Sequence, residues 1–135
     1  MESKRLSEKV VEALWSDISG KGVPYKTPDS NLGSDFIAEK SDKTSISILT
    51  TGESIISIHR DSFVAAVQFL LKGGNLSSEN ACPIGASIGD PGQLDKATRI
   101  HSGGTMVISY IVPILAATGI MGVSGDRPNR AWINP

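Results

Sequence analysis

A chain of 135 residues suits one domain whose core is large enough to fold without disulfides or bound metal. Hydrophobic residues make up 39% of the sequence, which excludes disorder as the default state. The net charge of −1 excludes a general electrostatic attraction of the whole surface for nucleic acid.

The sequence carries no sign of secretion or of a membrane span. Residues 1–6 lack the apolar core of a signal peptide. The most apolar stretch, residues 106–123, is interrupted by Pro113, two glycines and several polar side chains. Cys82 has no second cysteine to pair with, which suits a reducing compartment. We therefore expect a cytoplasmic protein without a membrane partner.

The first half of the chain predicts one helix and a β-hairpin. Leu6, Val10 and Leu14 recur at helical spacing and predict an amphipathic helix over residues 7–19. A long connection over residues 20–33 follows, with a short strand near Val23, and then a strand over 35–39. Alternating isoleucines predict strands over 44–50 and 53–60. Gly52 supplies the positive φ that a tight hairpin turn needs.

The second half predicts three helices and a hairpin. A helix over residues 62–72 is capped by Asp61 and ended by two glycines, and a loop over 75–89 holds a short strand near Pro83. Asp90 caps a helix that runs to about residue 101. In the next helix, over 105–118, Pro113 causes a kink or a later start. Strands over 120–123 and 130–133 close the chain.

This order of elements is similar to that of the winged-helix domain, in which a third helix reads DNA and a hairpin, the wing, touches its backbone. The fold class that we predict is α+β: an N-terminal helix, an antiparallel β-hairpin, then a winged-helix-like helix–helix–hairpin unit. One domain spans residues 1–135, with a helix and hairpin portion over 1–60 and a winged-helix-like portion over 61–135.

A second resemblance rests on two stretches of apolar and turn residues. Residues 52–67, ending in Ser-Ile-His-Arg-Asp-Ser-Phe-Val-Ala-Ala-Val, precede Ser-Tyr-Ile-Val-Pro-Ile-Leu-Ala-Ala at 109–117. Together they resemble a small accessory module found beside nucleases and helicases in bacterial defence and restriction proteins. The resemblance implies a DNA-associated or assembly role and assigns no functional residue.

Charge points to the C-terminal part as the candidate nucleic-acid-binding surface. Lys96 and Arg99, three residues apart, share one helix face. Four further candidates lie around the last hairpin: Arg127, Asn129, Arg130 and Trp132. The would-be recognition helix has no Arg, Lys, Asn or Gln over residues 106–115, and base edges are read mainly by those side chains. The other five candidates, without Trp132, are therefore expected to form the surface that contacts phosphates, with Trp132 supporting the wing or stacking.

Catalysis is the least favoured reading of the sequence. Cys82, His59 and His101 show neither metal-ligand spacing nor a required base partner. The loop over residues 85–92 lacks the lysine of a phosphate-binding loop, and Asp35 with Glu39 does not complete a nuclease motif. We expect no enzyme, metal or cofactor, and keep a small hydrolase or nuclease as the weakest alternative.

Protein interaction is the main alternative to nucleic-acid binding. The apolar residues 106–123, together with Trp132, offer more hydrophobic surface than a monomer of this size needs to bury. They predict a partner protein or a second copy of the chain as the occupant of that surface.

Overall fold

The fold is described from a computed structural model, which covers residues 2–18, 23–26, 35–85, 92–124 and 129–134. Within these ranges the first half of the chain contains α1 (Glu2–Ile18), β1 (Val23–Lys26), β2 (Asp35–Ser41), β3 (Ser45–Thr50) and β4 (Ile55–His59). The second half contains α2 (Arg60–Lys72), β5 (Cys82–Pro83), α3 (Gln93–Arg99), α4 (Ile108–Ala117), β6 (Met121–Val123) and β7 (Arg130–Ile133).

Strands β1 to β4 form one antiparallel sheet in chain order. Alternation along each strand places apolar side chains on its inner face, among them Phe36, Ala38, Ile46, Ile48 and Ile58, which are all buried. The predicted strand near Val23 and the predicted hairpin are confirmed. The strand predicted over residues 35–39 continues to residue 41, past a β-bulge between Ala38 and Lys40.

The turn of the β3–β4 hairpin differs from the prediction. Glu53, and not Gly52, has positive φ, at 64°. Strand β3 ends at Thr50 and β4 begins at Ile55, so four residues form the connection. Thr50 closes it, because its N–H donates to the Ser54 carbonyl and its own carbonyl accepts the Glu53 N–H, both at 2.9 Å. The longer loop moves the left-handed position one residue beyond the glycine.

Helix α2 is capped by His59, and the prediction of Asp61 as its cap was wrong. His59 has extended backbone dihedrals, and its Nδ1 accepts the N–H of Asp61 at 3.0 Å. Asp61 lies in the first helical turn, where a carboxylate interacts favourably with the helix dipole. The N-cap of α3 is Gly92, which offers no side-chain cap, so the prediction of Asp90 as the cap was wrong; Asp90 itself lies outside the described residues.

The second half of the chain contains helices followed by a closing hairpin, in the order that the sequence predicts. Helix α2 is followed by β5, α3, α4, β6 and β7, and the last three strands form a sheet in the order β5–β7–β6. Cys82 and Pro83 pair with Ala131 and Arg130, while β6 pairs with β7 over Met121 to Val123. The α+β class and the helix–helix–hairpin unit predicted from the sequence are thus present.

Helix α4 lies at the centre of the structure. It begins at Ile108, later than residue 105, and accommodates Pro113 within its length. Its buried residues are Ile108, Ile111, Val112, Ile114 and Leu115. Burying each such side chain contributes about 1.5–3 kcal/mol, so α4 supplies a large share of the hydrophobic stabilisation.

The four-stranded sheet covers α4 on its outer side. Tyr110 of α4 meets Phe36 of β2 edge to face, with ring centroids 5.1 Å apart. Phe36 in turn stacks on Tyr25 of β1 at 5.6 Å. One hydrophobic core therefore runs through both halves of the chain.

A chain of hydroxyl groups joins the start of α2 to the end of α3. Ser62, fully buried, donates its hydroxyl to the Thr98 carbonyl at 2.7 Å. Because that hydrogen is used, the 2.6 Å contact between the Ser62 and Ser102 hydroxyls takes Ser102 as donor. The Ser102 oxygen accepts the His59 N–H at 3.2 Å. The network fixes β4, α2 and α3 relative to one another.

Asp42 organises the turn between β2 and β3. Its Oδ1 accepts the backbone N–H groups of Thr44 at 2.7 Å and Ser45 at 2.9 Å. Its carbonyl accepts the Trp15 indole N–H at 2.8 Å, which ties α1 to this turn. The hydrogen bonds to its carboxylate hold the pKa of Asp42 below its ordinary value.

This lowered pKa predicts a pH-dependent contribution to stability. Its stabilising effect is complete above the unfolded-state pKa, about 3.9, and is lost as pH falls through the lower folded-state pKa. In Asp42→Asn the side-chain oxygen still accepts both bonds but does not titrate. Between about pH 5 and pH 2, thermal melts should show a larger fall in Tm for the wild type than for this variant. Parallel pH profiles would contradict the role of Asp42.

Candidate nucleic-acid interface

Two of the predicted side chains lie on one face of the wing sheet. Ala131 and Ile133 of β7 point into the core and are buried. Arg130 and Trp132 alternate with them and therefore lie on the outer face, where Arg130 is exposed and Trp132 is partly exposed. Pro83 of β5 pairs with Arg130 and is also exposed. We call the outer side of Pro83, Gly122, Arg130 and Trp132 the wing face.

Trp132 is held in place by its neighbours on β6 and at the chain end. It pairs with Gly122, and a Cβ at that glycine would overlap the indole, so the ring lies across the glycine backbone. The indole N–H donates to Asn134 Oδ1 at 3.0 Å. Asn134 is fixed by its own bonds to the Gly119 and Ile120 carbonyls, each at 2.9 Å. The position of the indole on the wing face is thus preorganised.

Asn129 stabilises the wing and does not extend from it. Its side-chain amide donates to the Ser124 carbonyl at 3.0 Å, across the hairpin. The Arg130 N–H donates to the Ser124 hydroxyl at 2.9 Å on the same rung. Asn129 therefore closes the hairpin that presents Arg130. Arg127, the remaining candidate of the hairpin, lies outside the described residues.

The two candidates on α3 have different environments. Lys96 is exposed. Arg99 forms a bidentate ion pair with Asp95, with Nε–Oδ1 at 3.0 Å and NH2–Oδ2 at 2.7 Å. The Asp95 side chain is fully buried and that of Arg99 is 16% exposed. Arg99 therefore neutralises a buried carboxylate, and its charge is largely unavailable to a phosphate.

The burial of Asp95 is the feature of this surface that the sequence does not indicate. Its spacing of four residues from Arg99 is the signal that indicates an ion pair on a helix. Nothing in that spacing shows that the carboxylate is buried, because burial of this face follows from the packing of α3 against α2 and α4.

The start of α3 lies beside the wing. The Ile84 N–H donates to the Asn129 carbonyl at 3.0 Å, which extends β5 towards the turn end of the hairpin. Gly85 and Gly92 are in backbone contact, with the Gly92 N–H donating to the Gly85 carbonyl at 2.9 Å. Lys96 follows Gly92 by one helical turn. Backbone contacts thus connect Lys96 to the end of the wing at which Asn129 lies.

The apolar residues 106–123 are occupied by the core. Besides the five buried residues of α4, Val107 and Met121 are buried. Much of the apolar surface that the sequence predicts here for a partner protein therefore packs within the domain. The partly exposed residues of α4 include no Arg, Lys, Asn or Gln, so they do not form a base-reading surface.

The candidate catalytic Cys82, His101 and His59 lie on separate elements. Cys82 is a free thiol on β5, and partial burial raises its pKa, which disfavours the reactive thiolate. His101 lies in the turn after α3, and His59 caps α2. Asp35 and Glu39 are exposed on β2. Among the described residues no group of three or more His, Cys, Asp or Glu side chains is placed to hold a metal ion.

A groove of about 370 Å³ lies between α1 and α2 and was not indicated by the sequence. Its charged lining residues are of both signs: Lys4, Glu8, Glu12, Arg60 and Asp61. Arg60 also lies over the Trp15 ring, 5.3 Å from its centroid. The mixed charge gives this groove no net attraction for phosphate.

Of the helices that the structure describes, none is long and apolar enough to cross a membrane.

The ion pair predicts that Arg99 stabilises the folded state. Arg99→Ala leaves the buried Asp95 carboxylate without its bidentate partner and should lower the free energy of unfolding by about 3 kcal/mol. Lys96→Ala removes a charge from the same helix at an exposed position and should change it by less than about 0.5 kcal/mol. Urea denaturation measures both values. Equal stability of the two variants would show that the pair is not important for folding.

Comparison of the chain with protein-family models, with curated proteins and with solved structures gives no match. The resemblance to accessory modules of bacterial defence and restriction proteins stays a prediction, and the geometry of the wing face is the basis on which a function is proposed.

Proposed function

We propose that this protein is a non-catalytic nucleic-acid-binding module that contacts phosphates through its wing. The observation that carries the proposal is the position of Arg130, which is exposed on the wing face beside the preorganised indole of Trp132. Among the described residues no carboxylate pairs with Arg130. An exposed, unneutralised guanidinium is the group best suited to bind a phosphate.

The surroundings of Arg130 support this proposal. Lys96 adds a second exposed cation on α3, whose start contacts Gly85, the residue after the Ile84 that bonds to Asn129 of the wing. Arg99 pairs with the buried Asp95 and adds little charge to the contact surface, so the proposed interface is smaller than the one that the sequence predicts. Arg127 stays a candidate on sequence grounds alone. A few phosphate contacts give weak binding that falls with rising salt.

The proposed location is the cytoplasm. The thiol of Cys82 is free, and such a thiol suits a reducing compartment. An association with DNA, as in the defence and restriction proteins that the sequence resembles, belongs to the same proposal.

Arg130→Ala should weaken binding to duplex and to single-stranded DNA alike, because a phosphate contact does not depend on base pairing. In fluorescence anisotropy at low salt, the slope of log K against log salt should become shallower by about one. Combining Arg130→Ala with Arg127→Ala should reduce binding further.

The matched control is Lys43→Ala, which removes an exposed cation from the turn between β2 and β3. It should leave the affinity and the salt slope close to those of the wild type. If the wild type binds no strand at low salt, or if Lys43→Ala weakens binding as much as Arg130→Ala, the wing is not a nucleic-acid interface.

A second candidate function is self-association through the outer face of the four-stranded sheet. Pro24, Ile37, Leu49 and Ile55 are neighbours in register on four successive strands and form one apolar row. Ile55 is 68% exposed and Ile37 38%. A single straight row can pack against the same row of a second copy related by a twofold axis.

Ile55→Lys should shift a self-associating chain towards monomer, because it places a charge at the most exposed residue of the apolar contact. Ile100→Lys is the matched control, since Ile100 is 70% exposed but lies in the turn after α3, away from the sheet. Sedimentation equilibrium over a range of concentrations measures both. A monomeric wild type at every concentration rules out self-association.

A further inference from the structure

The two tryptophans of the chain have opposite environments. Trp15 is 8% exposed, donates its N–H to the Asp42 carbonyl and meets Phe63 edge to face, as a core side chain does. Trp132 lies on the outer face of the wing sheet and is partly exposed. Its inner surface covers Gly122, and a side chain at that position would displace it. The wing thus carries an aromatic ring placed against the backbone of a sheet.

The ring is fixed before any ligand arrives. The hydrogen bond from its N–H to Asn134, and the two bonds that hold Asn134 to the turn between α4 and β6, restrict rotation of the indole. A partner that stacks on this ring therefore loses little affinity to ordering of the side chain. Arg130, two residues earlier on the same face, lies one pleat repeat away, about 7 Å along the strand.

Double-stranded DNA offers few base contacts to this structure. In a winged helix the third helix reads bases in the major groove, but here half of the residues of α4 are buried in the core, and the helix has no Arg, Lys, Asn or Gln with which to read a base edge. The wing can reach the phosphates of a duplex, whose bases are stacked inside. Only an unpaired base is free to meet an aromatic side chain.

We infer that the wing face binds single-stranded nucleic acid, with an unpaired base stacked on the Trp132 indole and the adjoining phosphate on Arg130. The inference rests on the proposed nucleic-acid-binding function and names its substrate class. Aromatic stacking accepts any base, so the preference is for the unpaired state and not for a sequence.

The experiment compares oligodeoxythymidylate of about 12 nucleotides with a duplex of the same length in anisotropy titrations. The wild type should bind the single strand at least fivefold more tightly. Trp132→Ala should weaken single-strand binding roughly tenfold and duplex binding much less, whereas Trp132→Phe should restore most of the loss. Circular dichroism melts check that each variant is folded.

Tryptophan fluorescence gives a readout that does not depend on the alanine variant. Single-stranded DNA should quench the emission of the wild type and not that of Trp132→Phe, in which only the buried Trp15 remains. Duplex should quench neither. The comparison of the wild type with Trp132→Phe tests base stacking even if Trp132→Ala fails to fold.

The outcomes separate this inference from the function on which it rests. If single strand and duplex bind equally and Trp132 emission does not change, stacking is wrong while phosphate binding by the wing stands. If neither nucleic acid binds, both proposals fall.

Discussion

The covering of α4 by the four-stranded sheet is the constraint on which the rest of the structure depends. The Tyr110–Phe36–Tyr25 series of ring contacts joins the two halves of the chain into one core. A helix with mostly apolar side chains is not stable when fully exposed, so its apolar face has to be covered. Here the four-stranded sheet contacts α4 at Tyr110, and α2, α3 and β6 also pack against the helix.

The order of the elements does not by itself decide what this unit contacts. The helices and the closing hairpin follow the predicted order, yet half of the residues of α4 are buried in the core and the helix has no Arg, Lys, Asn or Gln. Fold alone therefore does not imply base reading. What remains exposed is the wing, where alternation along β7 places Ala131 and Ile133 inward and Arg130 and Trp132 outward.

The cations of the candidate interface differ in their environment. Arg99 and Arg130 are both arginines near the C-terminus, but one compensates a buried carboxylate and the other is exposed. A buried charge without a partner is costly, so the Asp95–Arg99 pair is held together by the fold. The polar groups at the hairpin, Asn129 and Ser124, are likewise used to close the wing.

Sequence alone determined the class of most elements, because periodicity and glycine placement are local. It established the isoleucine strands, the apolar helix with Pro113 and the final hairpin. Local patterns also indicated that the 106–115 helix lacks base-reading side chains. Only the tertiary structure decided that His59 caps α2, that Glu53 takes the left-handed turn position, that Asp95 is buried and that the apolar row of the sheet faces outward. Each of these depends on which elements pack together, and spacing along the chain does not encode that.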